Sequence, residues 1–230
     1  NTNPYVQYGV SNAGSLLGLM AYPFVIEPAL NNSSQTMLWT VLYAVYALVV
    51  GMTLFQFARI NLSKYGTLIN TSQSPVDLSH SEPLKAIWFV QAMVPSALLL
   101  GITHYLTLDV VNFPLLWVAP LALYLLTFII CFLFPAVSKP SQLRSAIAVV
   151  SLLLLMLTSR PEMGFNLFAQ IGCAMTCLFF VAMVFHGDLE RNKPEKHSLT
   201  GFYLVVSAGG AAGSVLMGLV APLLFESTFE

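Results

Sequence analysis

Apolar residues run along this chain in long unbroken blocks, not in a period of two and not in a narrow stripe. Seven blocks approach or exceed the roughly 20 residues that a helix needs to cross about 30 Å of hydrocarbon. They are Tyr8–Leu30, Gln35–Ala58, Leu84–Leu106, Phe113–Phe134, Gln142–Thr158, Met163–Phe185 and Leu199–Phe225. Leu98-Leu99-Leu100 and the run Leu152 to Leu155 break the alternation that a membrane barrel strand requires. Lipid offers the backbone no hydrogen-bond partners, so such blocks close their bonds internally as α-helices. The pattern predicts an all-α integral membrane protein, a polytopic and transporter-like bundle of about seven transmembrane helices. It forms a single helical domain over residues 1–230, with the longest polar connection, 59–83, as a loop. The fifth block is the shortest, and its start near Ser141 is the least sharply marked.

Composition agrees with this reading. Of 230 residues 57% are apolar and 8% charged, against roughly 25% charged in a soluble domain. The chain is too apolar to stay unfolded. A net charge of −1 gives no footprint for nucleic acid, and three cysteines do not form an even disulfide framework. The first residue is Asn and no basic segment with a cleavage site precedes the first block. We therefore expect a processed chain or a fragment of a longer membrane protein.

The nine basic residues set an orientation. When the connections are numbered in alternation, Arg59, Lys64, Lys85, Lys139, Arg144, Arg191, Lys193 and Lys196 share one side and only Arg160 falls on the other. By the positive-inside rule the crowded side is cytoplasmic. The expected setting is a bacterial inner membrane, with the amino end of the chain inside and its carboxyl end outside.

Candidate chemistry is sparse. A retinal Schiff base needs a lysine in the last span, and Leu199–Phe225 has none. No Cys-x-x-Cys-His is present for haem. His104 and His186 fall at opposite ends of their spans, too far apart in depth for one iron. Cys131, Cys173 and Cys177 read as small apolar core residues. No cofactor, metal or catalytic residue is expected. Glu27, His104, Asp109, Arg160 and Glu162 gather toward the outer face, where charge is cheap. Within the bilayer Asn12, Gln91 and Gln170 are polar groups that either join helices or line a path for a solute. Candidate solute contacts are therefore Asn12, Glu27, Gln91, His104, Asp109 and Gln170.

Small residues supply a second set. Gly14 and Gly18 lie four apart in the first span; Gly209 and Gly213, with Gly210, Ser214 and Gly218, form a ridge in the last. Such spacing lets backbones approach, either inside the bundle or against another subunit. Prolines at Pro23, Pro28, Pro95, Pro114, Pro120 and Pro222 interrupt spans and free backbone carbonyls. His186-Gly187-Asp188-Leu189 reads as the end of the sixth helix, with Gly187 as its cap.

Three segments carry a family resemblance. They are Ser11–Leu17 continuing through Tyr22-Pro23 and Glu27-Pro28; the block Pro114-Leu115-Leu116-Trp117-Val118-Ala119-Pro120 onward to Phe128; and His186–Leu189 followed by Leu199-Thr200, Phe202-Tyr203-Leu204, Ser207 and Gly209-Gly210. In this order they resemble the membrane region of bacterial proteins described as fused major-facilitator/spermidine-synthase-like. The resemblance implies a multi-span region that can precede an aminopropyltransferase-like domain. No soluble segment with a Gly-rich nucleotide loop stands in these residues, nor does the Gly-x-x-x-Asp-Arg loop of major-facilitator transporters. The first expectation is a non-catalytic membrane subunit that docks on other membrane proteins. The alternatives are a transporter-like module holding a small solute between helices, and an anchor for a transferase domain outside this chain.

Overall fold

The structure, a computed structural model, describes residues 4–65, 82–110, 116–139, 142–194 and 199–224. Those residues contain seven principal helices and no strand. They are α1 (Pro4–Ala21), α2 (Asn32–Tyr65), α3 (Glu82–Tyr105), α4 (Val118–Leu133), α5 (Gln142–Thr158), α6 (Leu167–Arg191) and α7 (Leu199–Val215). Three continue into π-helical turns: α1 through Tyr22–Ile26 and on to Glu27–Ala29, α3 through Leu106–Val110, and α7 through Leu216–Val220 into Ala221–Leu224. Counting these extensions, five helices are long and apolar enough to cross a membrane. The other two, α4 and α5, have 16 and 17 residues, at or just under the lower limit for a span. The chain is an all-α polytopic membrane protein.

Helix boundaries depart from the sequence reading: α1 and α2 begin earlier, at Pro4 and Asn32, and α4 begins later, at Val118. The expected loop 59–83 is shorter, because α2 runs to Tyr65 and α3 begins at Glu82; no Gly or Pro stands between Ala58 and Gly66 to stop the helix. The sixth helix begins only at Leu167, where Asn166 caps it by accepting from the Ala169 N–H at 2.8 Å. It also runs past Gly187, which is no cap. It ends at Arg191, and the Asn192 N–H satisfies the carbonyls of Asp188 and Glu190. Residues 66–81, Phe113–Leu115, Lys196 and Phe225 lie outside the described residues, as does the side chain of Lys64.

The chain divides into two compact units, Asn1–Met20 with Val76–Glu230, and Ala21–Pro75. In the smaller unit the turn into α2 is closed by local bonds. The Tyr22 hydroxyl donates to Gln35 Oε1 at 3.3 Å, Gln35 Nε2 donates to the Leu30 carbonyl at 2.9 Å, and the Ser34 N–H donates to Asn31 Oδ1 at 2.9 Å. Beyond that turn α2 is apolar on every face and exposed from Trp39 to Val49, as expected of a helix whose solvent is lipid.

In the larger unit α3 packs on α7 and α6, while α4 and α5 pack on α6. An aromatic core fills one end. The Trp88 ring meets Phe202 edge-on at 5.1 Å, Tyr8 meets Phe128 and Phe132 at 5.2 and 5.6 Å, and Phe128 stacks on Phe132 at 4.7 Å. Edge-on and offset pairs add to what burial alone supplies. The polar edges of two of these rings are bonded: Trp88 Nε1 donates to the Asn192 carbonyl at 2.8 Å and the Tyr5 hydroxyl to the Pro194 carbonyl. The turn after α4 docks at the same end. Ser138 Oγ donates to the Cys131 carbonyl at 3.0 Å and Arg191 Nη1 donates to the Ser138 carbonyl at 2.8 Å. Gly187 faces this turn, where a Cβ would stand in ordinary contact, 3.5 Å from the Ser138 oxygen. A second core of Ile102, Leu106, Ala174, Cys177 and Leu178 fills the other end.

Candidate groove between α3, α5 and α7

The ridge of small residues on α7 lies against α3. A Cβ at Gly209 would stand 2.4 Å from the Phe89 carbonyl oxygen, and one at Gly213 only 2.3 Å from that of Met93. The two backbones are therefore in direct contact. Ser96 seals the pair, donating to the Gly210 carbonyl at 2.9 Å and standing 3.1 Å from the Ser214 hydroxyl. Gly218 faces Leu100 and Gly101 faces Met217. By contrast, Gly14, Gly18 and Gly210 would present a Cβ to open space.

The flank of α3 beside that seam is open. Because α5 packs on α6 rather than on α3, a cavity of about 520 Å³ remains between α3, α5 and the π-helical turn after α7. That volume is in the range of small-molecule sites. Met93, Leu98 and Ile102 form one wall, Leu152, Leu155 and Met156 the other, and Leu216 and Met217 the third. The π turn places those last two residues. Its first carbonyl is bonded five residues on, by the Ala221 N–H, and the extra residue rotates the helix face.

The polar lining gathers at one end. The Tyr105 hydroxyl donates to Gln170 Oε1 at 3.1 Å, and Cys173 Sγ donates to the Ser151 carbonyl at 3.7 Å. The first bond brings the C-terminal end of α3 to the start of α6, and the second ties the middle of α5 to the first turns of α6. Tyr105, Ser159 and Arg160 therefore line the same end of the groove, and Arg160 is exposed there.

The expected solute contacts Asn12, Gln91, His104 and Gln170 of the larger unit do not form one site. Asn12 spends its amide on its own helix, Nδ2 donating to the Tyr8 carbonyl at 2.9 Å. Glu27 is exposed in the smaller unit. His104 is half-buried next to Tyr105 in the chain, and the side chain of Asp109 lies outside the described residues. Gln170 joins α6 to α3 through Tyr105, fourteen residues beyond Gln91 on α3, or about 21 Å along the axis. Among the described residues of the larger unit, none of Asn12, Gln91, His104 and Gln170 lines the cavity. Gln91 is buried instead beside Trp88 and Ala92, and its Oε1 finds no hydrogen-bond partner among the described residues.

A second polar place was not foreseen. His186 is fully buried on α6, with Nδ1 3.0 Å from Thr127 Oγ1 and its ring against Tyr124 at 4.9 Å and Phe128 at 4.4 Å. Its Nε2 has no partner among the described residues. Cys131 belongs to the aromatic core and Cys177 to the second core, while Cys173 is half-buried.

Little in the sequence marked the groove. Apart from Tyr105, Ser159 and Arg160 its residues are apolar and resemble the rest of each block. Three methionines and a glycine, Met93, Met156, Met217 and Gly101, were the available signal, because flexible thioethers suit adaptable surfaces.

Searches against protein-family models, curated proteins and solved structures returned no match to this chain.

Proposed function

We propose that this chain is a non-catalytic membrane module, transporter-like in build, that holds one apolar or amphipathic molecule in the groove between α3, α5 and α7. The observation that carries the reading is the cavity of about 520 Å³, apolar along its length and polar at one end. The docking role drew on the glycine ridge and on aromatic faces; α3 occupies Gly209 and Gly213 of that ridge, which favours binding over docking. The bias of basic residues supports an orientation with the amino end of the chain inside, and the resemblance to bacterial proteins supports a bacterial inner membrane. The three resembling segments support kinship with the membrane region of fused major-facilitator/spermidine-synthase-like proteins, and with it a role beside a transferase domain.

Photolabelling tests the groove. The full chain in nanodiscs is irradiated with an alkyl diazirine, and the labelled peptides are mapped by mass spectrometry. Label concentrated on Leu98, Leu155, Met156 and Met217 is the expected result. Label spread evenly, with Leu48 and Phe55 of the exposed α2 marked as strongly, would overturn the reading. Co-purification of stoichiometric membrane subunits would restore the docking role.

A further inference from the structure

We infer that Gln91 and His186 form a closed polar site between α3, α4 and α6 that holds one small protic ligand, an internal water, donating to His186 Nε2 and to Gln91 Oε1. Three observations lead there. The first is the state of the imidazole. Thr127 Oγ1 spends its one proton on the Tyr124 carbonyl at 2.7 Å. Its 3.0 Å contact with His186 Nδ1 is therefore donated by the ring. A neutral imidazole that donates from Nδ1 carries a bare lone pair on Nε2. The ring is fully buried and lies against Tyr124 and Phe128, and no described residue donates to Nε2.

The second is level. The helices α3 and α6 run antiparallel, tied by Trp88 to the Asn192 carbonyl at one end and by Tyr105 to Gln170 at the other. Interpolation between these ties sets Gln91 opposite roughly residue 188, two residues from His186 or about 3 Å in depth. Ile102 and Ala174, which the same register pairs, share the second core. Gln91 also heads the stripe of α3 that continues through Pro95 and Leu98 to Ile102, the side that packs on α6. Its Oε1 is buried and, like Nε2, finds no donor among the described residues.

The third is chemistry. Two bare acceptors cannot satisfy one another, and each one left unpaired keeps the whole cost of leaving solvent. A water has two O–H donors, and internal waters settle where buried polar groups lack partners. A cation is a poorer match, because the acids that follow on α6, Asp188 and Glu190, are spent on Arg191 and Lys193. The Tyr203 hydroxyl is a third buried polar group without a partner among the described residues, and Tyr203 packs on the same aromatic core. Unmet polarity therefore gathers at this end of the unit. Neither Gln91 nor His186 lines the groove, so the site stands independently of it.

Nuclear magnetic resonance of the full chain in nanodiscs tests this. His80, His104 and His197 are each changed to Gln, so that His186 is the one histidine carrying a nitrogen-15 label, and circular dichroism confirms that the chain stays helical. The expected spectrum is that of the Nδ1–H tautomer, with transfer to Nε2 from a slowly exchanging water proton. The Nε2–H tautomer, or transfer from the Gln91 side-chain amide in place of water, would overturn the site. Gln91→Met keeps the reach of the side chain and deletes its oxygen. With a water held there, the transfer should be lost and the melting temperature should fall by about 3 °C, the effect of one buried hydrogen bond in a chain of this size. If the site is dry, the same substitution removes an unpaired acceptor, and a melting temperature that is unchanged or raised would overturn the inference. Ammonium chloride should stabilise the protein no more than sodium chloride does. An extra gain with ammonium that Gln91→Met abolishes would overturn the assignment to water and make the ligand a cation.

Discussion

The two flanks of α3 are built to opposite ends. Toward α7 it meets glycine, and the backbones touch at Phe89 and Met93. Toward α5 it presents Leu98, Ile102 and Tyr105 to a gap of about 520 Å³. In lipid no hydrophobic drive pulls helices together, so close packing has to come from dispersion and backbone approach. Where a glycine ridge allows that approach, the pair is closed; where leucine and methionine stand on both sides, α5 turns to α6 and leaves α3 uncovered. One helix thus serves both as the wall of the most closely packed seam and as the wall of the groove.

Filling the seam should do the most damage. Gly213→Ala and Gly209→Ala each place a methyl group against a backbone carbonyl at 2.3–2.4 Å, and neither carbonyl can swing away as a side-chain tip can. A loss of about 1–3 kcal/mol is expected from overpacking, read by thermal or denaturant unfolding in detergent. Indifference at both positions would mean that the seam is not closed as described.

The aromatic end of α3 comes next. Trp88→Phe removes the bond to the Asn192 carbonyl while keeping an aromatic ring against Phe202. A cost of about 1 kcal/mol is expected for one buried hydrogen bond, by the same unfolding assay. Trp88→Tyr, if it recovers part of the loss, would assign it to the polar edge rather than to ring volume.

On the groove side the expected effects are smaller. Tyr105→Phe deletes the link to Gln170 and should cost about 0.6 kcal/mol, the usual size of a side-chain bond between helices in a membrane. The same substitution tests whether Gln170 is held by Tyr105, since hydrogen exchange at the start of α6 should quicken. Gly101→Ala meets only the flexible end of Met217, so the wall should yield and stability should change little, within about 0.5 kcal/mol. The smallest effect belongs to Gly14→Ala, which meets nothing; a large loss there would reveal a contact that the seam-and-groove contrast does not contain.

Some of this was legible in residues alone. Block length and the lack of alternation at Leu98 to Leu100 sufficed for helices, and α5 begins and ends at Gln142 and Thr158 as read. The four-residue spacing of Gly209 and Gly213 marked a close approach but could not say to what. Gly187 was misread because glycine at a helix end suggests a cap, whereas the helix continues through it to Arg191. Polarity drew attention to Gln91 and Gln170, yet the groove is made of side chains that no polarity scale separates from lipid-facing ones.

The order of apolar blocks, the helical class and the positions of the breakers follow from sequence, because they depend on local chemistry and on the length needed to cross hydrocarbon. Which helix meets which, and where a space remains, was decided only in three dimensions. A leucine facing lipid, a leucine facing a partner and a leucine lining a groove are one residue type in one kind of block. Only the placement of α5 on α6, away from α3, distinguishes them.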